Sequence, residues 1–318
     1  MPAEISVILV VGERRDRAVG ALHSLLSQNA VDRMEILLFD LAPGEPLSPP
    51  PLPGSDHPAV RSIRLPPDTR FAAAKALGVR TATAPVIAFL EEHCRAHPGW
   101  AEALLEAHAG PWAGVGAEVH NGNPEIALSR SIEIINYQLW MAPAPRREHS
   151  LLPGHNSSFK RSILLAYGDA LEDLLRAEIV LHARLHRDGH RLLLEPAARF
   201  SHINESTLAS AALGRFLWNR IYGCLRARTF CWPLGRHLFY VAATLATPFY
   251  SLARTGLFLA RERPELLGRL LAGLPAIFIL QLVSGLGFSL GLIAGPGDAE
   301  ARFSLYEMNE YRKYQETT

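Results

Sequence analysis

Glu91-Glu92-His93 sets two carboxylates and an imidazole side by side, directly after the apolar run Pro85–Leu90. Carboxylate oxygens suit Mg2+ or Mn2+, and an imidazole nitrogen shifts the preference toward Mn2+. The plainer alternative is a polar cap on a helix beginning near Pro98. A second group of carboxylates, Glu172, Asp173 and Glu178, falls within Leu171–Arg187, which the pattern predicts as one long helix ended by Asp188-Gly189. A carboxylate there could serve as a general base. His182, His186 and His190 recur at four-residue spacing, as ligands along a helix would. Gly189 ends the helix before His190, and no partner ligand is evident, so these three read as surface residues. Gly154-His155-Asn156-Ser157-Ser158 is a polar run whose glycine permits close backbone approach and whose side chains offer hydrogen bonds.

These residues need elements to position them. Ile5–Val11 is a continuous β-branched run, as expected of a parallel strand covered on both faces. Arg14–Gln28 has helical spacing, Met34–Phe39 is a second strand ending in Asp40, and Val60–Leu65 is a third. Arg70–Thr83 is Ala-rich and helical, and Pro85–Leu90 is a fourth strand ending in Glu91. The alternation predicts an α/β domain with a mostly parallel sheet and helices on both faces. Ligands in such sheets bind at the carboxyl ends of strands, where Asp40 and Glu91 fall. The Pro-rich stretch from Pro43 to Gly54 reads as a surface loop.

With 318 residues the chain can hold one large α/β domain and an appendage. A net charge of +1 gives no global attraction to nucleic acid, and none is expected as a partner. Cys94, Cys224 and Cys231 have no C-x-x-C spacing and fit a reducing compartment. The N-terminus has neither the basic head nor the cleavage site of a signal peptide, so its apolar run is expected to be a buried strand.

The last third changes character. No charge lies between Arg236 and Arg254, nor between Arg269 and Asp298. The second run exceeds the roughly 20 residues a bilayer span requires, and Gly287-x-x-x-Gly291 suits close helix packing. The first run could cross the bilayer or lie in its interface as an amphipathic anchor. Arg215, Arg220, Arg226, Arg228 and Arg236 precede or open it, as a basic helix beside an anionic membrane would require. The expected organisation is a catalytic domain over 1–205, a basic linker helix over 206–233, two apolar membrane-associated helices over 234–297 and a tail over 298–318.

Four blocks, ISVILVVGERRDRAVGALHSLLSQ with MEILLFD, RFAAAKALGVRTATAPVIAFLEEHCRAHPGW, LLPGHNSSFKRSIL, and AEIVLHARLHRDGHRLLLEPAARFSHI, together resemble glycosyltransferase family 2. These are inverting enzymes with a GT-A fold, here of a membrane-associated bacterial type. The resemblance implies that Val11, Glu13, Asp40, Lys75, Glu91 and Glu92 bind a nucleotide-diphosphate sugar. It places Glu91-Glu92-His93 at the family's Asp-x-Asp site, so that Glu91, His93 and a later His202 hold Mn2+ or Mg2+. It places Gly154, His155 and Asn156 on the acceptor side and Glu178 at the catalytic base. The chain departs from the family pattern at Leu41, Lys75 and Ala177. The processive signature Gln-x-x-Arg-Trp is absent, which implies one sugar added per encounter.

The implied function is transfer of a hexosyl-type sugar to a lipid-linked or saccharide acceptor, in surface polysaccharide or glycolipid synthesis. The implied location is the cell inner membrane, with the catalytic domain cytoplasmic. A degenerate, non-catalytic nucleotide-sugar-binding protein is the alternative. A nucleotidyltransferase is a poorer one, because VVGERRDR has a single glycine where that class has a Gly-rich phosphate loop.

Overall fold

A computed structural model of the protein describes residues 2–42, 51–154 and 156–310. In chain order the first elements are β1 (Ile5–Val11), α1 (Arg15–Leu26), β2 (Met34–Asp40), β3 (Val60–Arg64), α2 (Phe71–Thr81), β4 (Val86–Phe89), β5 (Cys94–Ala96) and α3 (Trp100–His108). Then follow β6 (Gly114–Asn121), α4 (Ala127–Tyr137), β7 (Arg147–Glu148), β8 (Ser157–Lys160), α5 (Arg161–Leu165), α6 (Ala170–Leu175), α7 (Glu178–Arg187) and β9 (Leu192–His202). The remainder is helical: α8 (Leu208–Thr229), α9 (Leu234–Ala242), α10 (Thr247–Glu262), α11 (Leu267–Ala294) and α12 (Ala299–Leu305).

The chain forms two units, one of residues 1–122 and 139–203, the other of residues 123–138 and 204–318. This differs from the expected division. The segments 206–233, 234–297 and 298–318 belong to one body, and α4, from the middle of the catalytic sequence, belongs to it too.

The first unit is built on one sheet of order β3-β2-β1-β4-β8-β6-β9-β5, with β7 paired to β9. Every residue of β1 and β4 is buried, so both faces of the sheet are covered there. β3, at the edge, has none buried. β3, β2, β1 and β4 are parallel, as the alternating pattern predicts. Beyond β4 a short strand interrupts the parallel run: β8 runs antiparallel to both β4 and β6, while β6 and β9 pair in parallel again. Among the described residues no helix lies between β7 and β8, so nothing obliges β8 to run parallel.

Two features of this sheet position chemistry. β9 pairs with β6 in two stretches, Leu192–Glu195 and Arg199–His202, separated by three extra residues. That irregularity carries the second stretch into antiparallel pairing with β5, Cys94 opposite His202. The expected helix over 171–187 is instead broken: Ala177 is extended at φ −148° and ψ 97°, and α7 starts at Glu178. No Gly or Pro marks the break. Separate burial of Leu171, Leu174 and Leu175 on α6 and of Val180, Leu181 and Leu185 on α7 overrides a stripe that is helical throughout.

In the second unit α8 and α11 lie in close contact along their lengths. A Cβ added at Gly287 or Gly291 would strike the backbone carbonyl of Phe216 or Arg220, and one at Gly223 would strike that of Phe288. Small residues thus bring the two backbones together. α4 packs on the same pair, with Ile132, Ala211 and Leu280 in one cluster. Among the described residues, one helical stretch, Pro264–Ala294, is long and apolar enough to cross a membrane. The first apolar run is divided between α9, a 3-10 turn and α10, so it supplies no second span of that length. The expected basic face is also narrower. Arg215 bonds to Ser284 at 3.1 Å, and Arg220 to the carbonyl of Gly295 at 3.0 Å, both within this unit.

Candidate active site

The turn after β4 carries Glu91, His93 and Cys94, closed by a hydrogen bond from Cys94 N to the carbonyl of Glu91 (2.9 Å). Because Cys94 stands opposite His202 in the β5–β9 ladder, His93 and His202 become neighbours. Their Nε2 atoms are 3.0 Å apart with the rings edge to face at 85°. Glu91 Oε2 lies 3.5 Å from His93 Nε2 and 3.7 Å from His202 Nε2. Cys94 Sγ completes a group of four possible donors, all buried and all within 4.8 Å of one another.

The donor set fits a divalent cation. Donors about 2.1 Å from a metal in adjacent octahedral positions are themselves about 3 Å apart, close to the spacing seen here. Two imidazoles with one carboxylate favour Mn2+ over Mg2+, which prefers an all-oxygen shell.

Asn156 holds Glu91 from two sides. Its Oδ1 accepts from Glu91 N (2.9 Å), and its Nδ2 donates to Glu91 Oε2 (2.8 Å). Asn156, expected on the acceptor side, is buried and orients the Glu91 carboxylate. His155 lies outside the described residues. Gly154 faces Glu178, and a Cβ there would sit 3.8 Å from Glu178 Oε2. Gly154 and Asn156 are two residues apart, about 7 Å of extended chain at most. The carboxylates of Glu178 and Glu91 therefore border residues only two positions apart in the chain.

Glu178 is the first residue of α7, and its Oε1 accepts from Lys75 Nζ in a buried ion pair. The Lys75 ammonium also lies 4.7 Å from the ring centre of Phe89 and 5.2 Å from that of Phe71. Lys75 is thus brought to the expected base, not only to a donor side. Glu172 and Asp173, the rival carboxylates, are on α6 and pair with Arg176.

Other expected contacts are placed differently. Glu92 is fully buried, taking Arg17 Nη2 on one oxygen and Gly12 N (3.2 Å) on the other. Burial raises its pKa against the pull of Arg17. It ties α1 to the turn after β1. Asp40 receives both Arg15 guanidinium nitrogens at 2.9 Å and Ala42 N at 3.0 Å, with Arg64 at 3.4 Å. Val11, opposite Asp40 in the ladder, is buried, whereas Glu13 in the following turn is exposed. Arg15 and Arg17 thus pair with acids of this unit.

His182 corrects another expectation. It is fully buried, one turn after Glu178, its ring stacked on Phe159 at 5.9 Å, and among the described residues neither nitrogen has a hydrogen-bond partner. Burial depresses its pKa to about 4. The signal was its i, i+4 relation to Glu178 on one helix face. The Asn156–Glu91 clamp had no comparable signal, since it joins residues 65 positions apart.

The family model for glycosyl transferase family 2 matches residues 6–168, just over half the chain. The chain belongs to that family. A comparison with curated proteins returned no match. Among solved structures the chain resembles a crystal structure of GalNAc-T7 with UDP, GalNAc and Mn2+, at 14% identity and a TM-score of 0.46. The overlap covers 63% of this chain and 43% of that one, so this chain spans less than half of that protein. For this family member the fold class expected from sequence stands: a GT-A α/β sheet with helices packed on it, followed by a long apolar helix.

Proposed function

We propose that this glycosyltransferase transfers a sugar, with inversion, from a nucleotide-diphosphate donor to a lipid-linked or saccharide acceptor at the membrane. Convergence of Glu91, His93 and His202 on one point, across a short loop from Glu178, carries the reading. Mn2+ held there would neutralise charge developing on the departing diphosphate. Asn156 keeps the Glu91 carboxylate turned toward the two imidazoles. Glu178 takes the proton of the acceptor hydroxyl as its oxygen attacks the anomeric carbon. Lys75 fixes one carboxylate oxygen, so the other is presented toward Gly154, where the absence of a side chain leaves room. The basic and apolar second unit supports placement at the inner membrane with the catalytic unit on the cytoplasmic side, and a role in surface polysaccharide or glycolipid synthesis.

The Lys75–Glu178 pair favours one competing reading, in which Glu178 is a structural ion-pair partner and the protein binds nucleotide sugar without turnover. The discriminating experiment incubates detergent-solubilised full-length protein with UDP-, GDP- and dTDP-sugars and Mn2+, reading nucleotide release. Release by wild type that falls about 100-fold or more in Glu178→Gln, with donor binding retained, supports the transferase. Binding with no release by wild type in the presence of membrane lipid extract would overturn it in favour of the binding protein.

A further inference from the structure

Within the second unit, α8, α9, α10 and α11 enclose a half-open cavity of about 540 Å3. Its floor is made by Thr244, Ser284, Gly285 and Ser289, and its mouth by the exposed Phe239, Ala246 and Tyr250. The hydroxyl groups of the floor are internally satisfied. Thr244 and Ser289 bond to one another, and Ser284 donates to the carbonyl of Leu280 at 2.9 Å. Apart from the amides of Asn219 and Gln281, the wall is made of small residues, bonded hydroxyls and aromatic rings, a lining that suits hydrocarbon.

One side of the cavity is different. Arg226 lines it, and among the described residues no carboxylate pairs with this guanidinium. Its neighbours are aromatic: Tyr222 at 5.6 Å and Trp232 at 5.1 Å from ring centre. Arg236 lies on the same indole at 4.9 Å, and Tyr240, another lining residue, stacks on it with ring centres 4.8 Å apart. Two cations thus meet around one indole at the end of an apolar cavity. Basic and aromatic residues at that level match the boundary between headgroups and hydrocarbon.

We infer that this cavity is a binding site for a lipid with an anionic phosphate headgroup, its chain in the Phe239–Phe288 cavity and its phosphate on Arg226 and Arg236. The site is a consequence of the second unit alone and does not depend on sugar transfer. It gives the unit a selective contact with anionic lipid beyond simple burial of α11.

The test is native mass spectrometry of the detergent-solubilised full chain, offered dioleoyl phosphatidate, dioleoyl phosphatidylcholine or glycerol 3-phosphate. Wild type should retain phosphatidate about tenfold better than phosphatidylcholine, the scale of one charge-assisted hydrogen bond, and should not retain glycerol 3-phosphate. Arg226→Gln should bring the two lipids to parity, while Arg228→Gln, an exposed neighbour off the cavity, should behave as wild type. Ala246→Trp, which fills the mouth, should lower retention of both lipids. Equal retention of the two lipids by wild type, or unchanged behaviour in both Arg226→Gln and Ala246→Trp, would overturn the site. Retention of glycerol 3-phosphate equal to that of phosphatidate would overturn it in favour of a soluble-anion site.

Discussion

Two imidazole nitrogens 3.0 Å apart need something to reconcile their lone pairs, either a proton on one of them or a cation between them. Glu91, 3.5 to 3.7 Å from both, tips the site toward a cation. His93→Ala and His202→Ala should therefore each abolish Mn2+ binding seen by electron paramagnetic resonance. Asn156→Ala, which removes only the clamp on Glu91, should weaken it about 10- to 100-fold; unchanged affinity would mean the clamp is irrelevant. Histidines away from this cluster set a different pH dependence. His108, bonded to Ser158 at 2.8 Å, has its pKa depressed by burial to about 3, and that of His182 is depressed to about 4. Both are neutral in the folded state and protonate more readily when unfolded, near pH 6.5. The stability they contribute is full above about pH 6.5 and is lost as pH falls toward their folded values. Thermal midpoints should drop on acidification from pH 7.5 to 5, and less steeply in His182→Gln. A parallel slope in that variant would count against the assignment.

At the scale of elements, glycines on one helix separate packing from mere presence. Gly287 and Gly291 face carbonyls of α8, whereas Gly268, on the same α11, has nothing within 4 Å. Gly291→Leu should force the two helices apart and lower the midpoint of thermal unfolding sharply. Gly268→Ala should hold or raise it, by up to ~1 kcal/mol of helix propensity. Equal effects would mean the close approach is not needed. The Gly287-x-x-x-Gly291 spacing was legible in the sequence, as were β1, β2, β4 and the carboxylates at strand ends, because each is a local pattern. The antiparallel course of β8 was not, since it depends on which partners a short strand finds. Nor was the break before Glu178, where a continuous apolar stripe conceals two differently packed helices. Asp40 and Glu92 were found as residues but not as ion-pair partners, because Arg15 and Arg17 reach them only once α1 lies on the sheet.

For the whole molecule, the apolar stretch Pro264–Ala294 is 31 residues long, and roughly 20 helical residues match the ~30 Å hydrocarbon core. The full chain should remain in membranes through an alkaline carbonate wash and float with vesicles; release by carbonate would exclude a spanning helix. A fragment ending at residue 205 would not be a clean soluble enzyme. It would keep α4 but lose the helices whose apolar face Ile132 shares, and should aggregate unless α4 is made polar on that face.

The same interleaving governs how the protein is made. The ribosome releases α4 about 130 residues before α11, which at roughly 5–20 residues per second is a delay of several seconds or more. For that interval an apolar helix face waits without its partners, while the strands on either side of it are already free to pair. Synthesis of this protein thus contains an interval in which one apolar helix face is made before the helices that cover it. Slowing translation between codons 140 and 267 would lengthen that interval without altering a single amino acid.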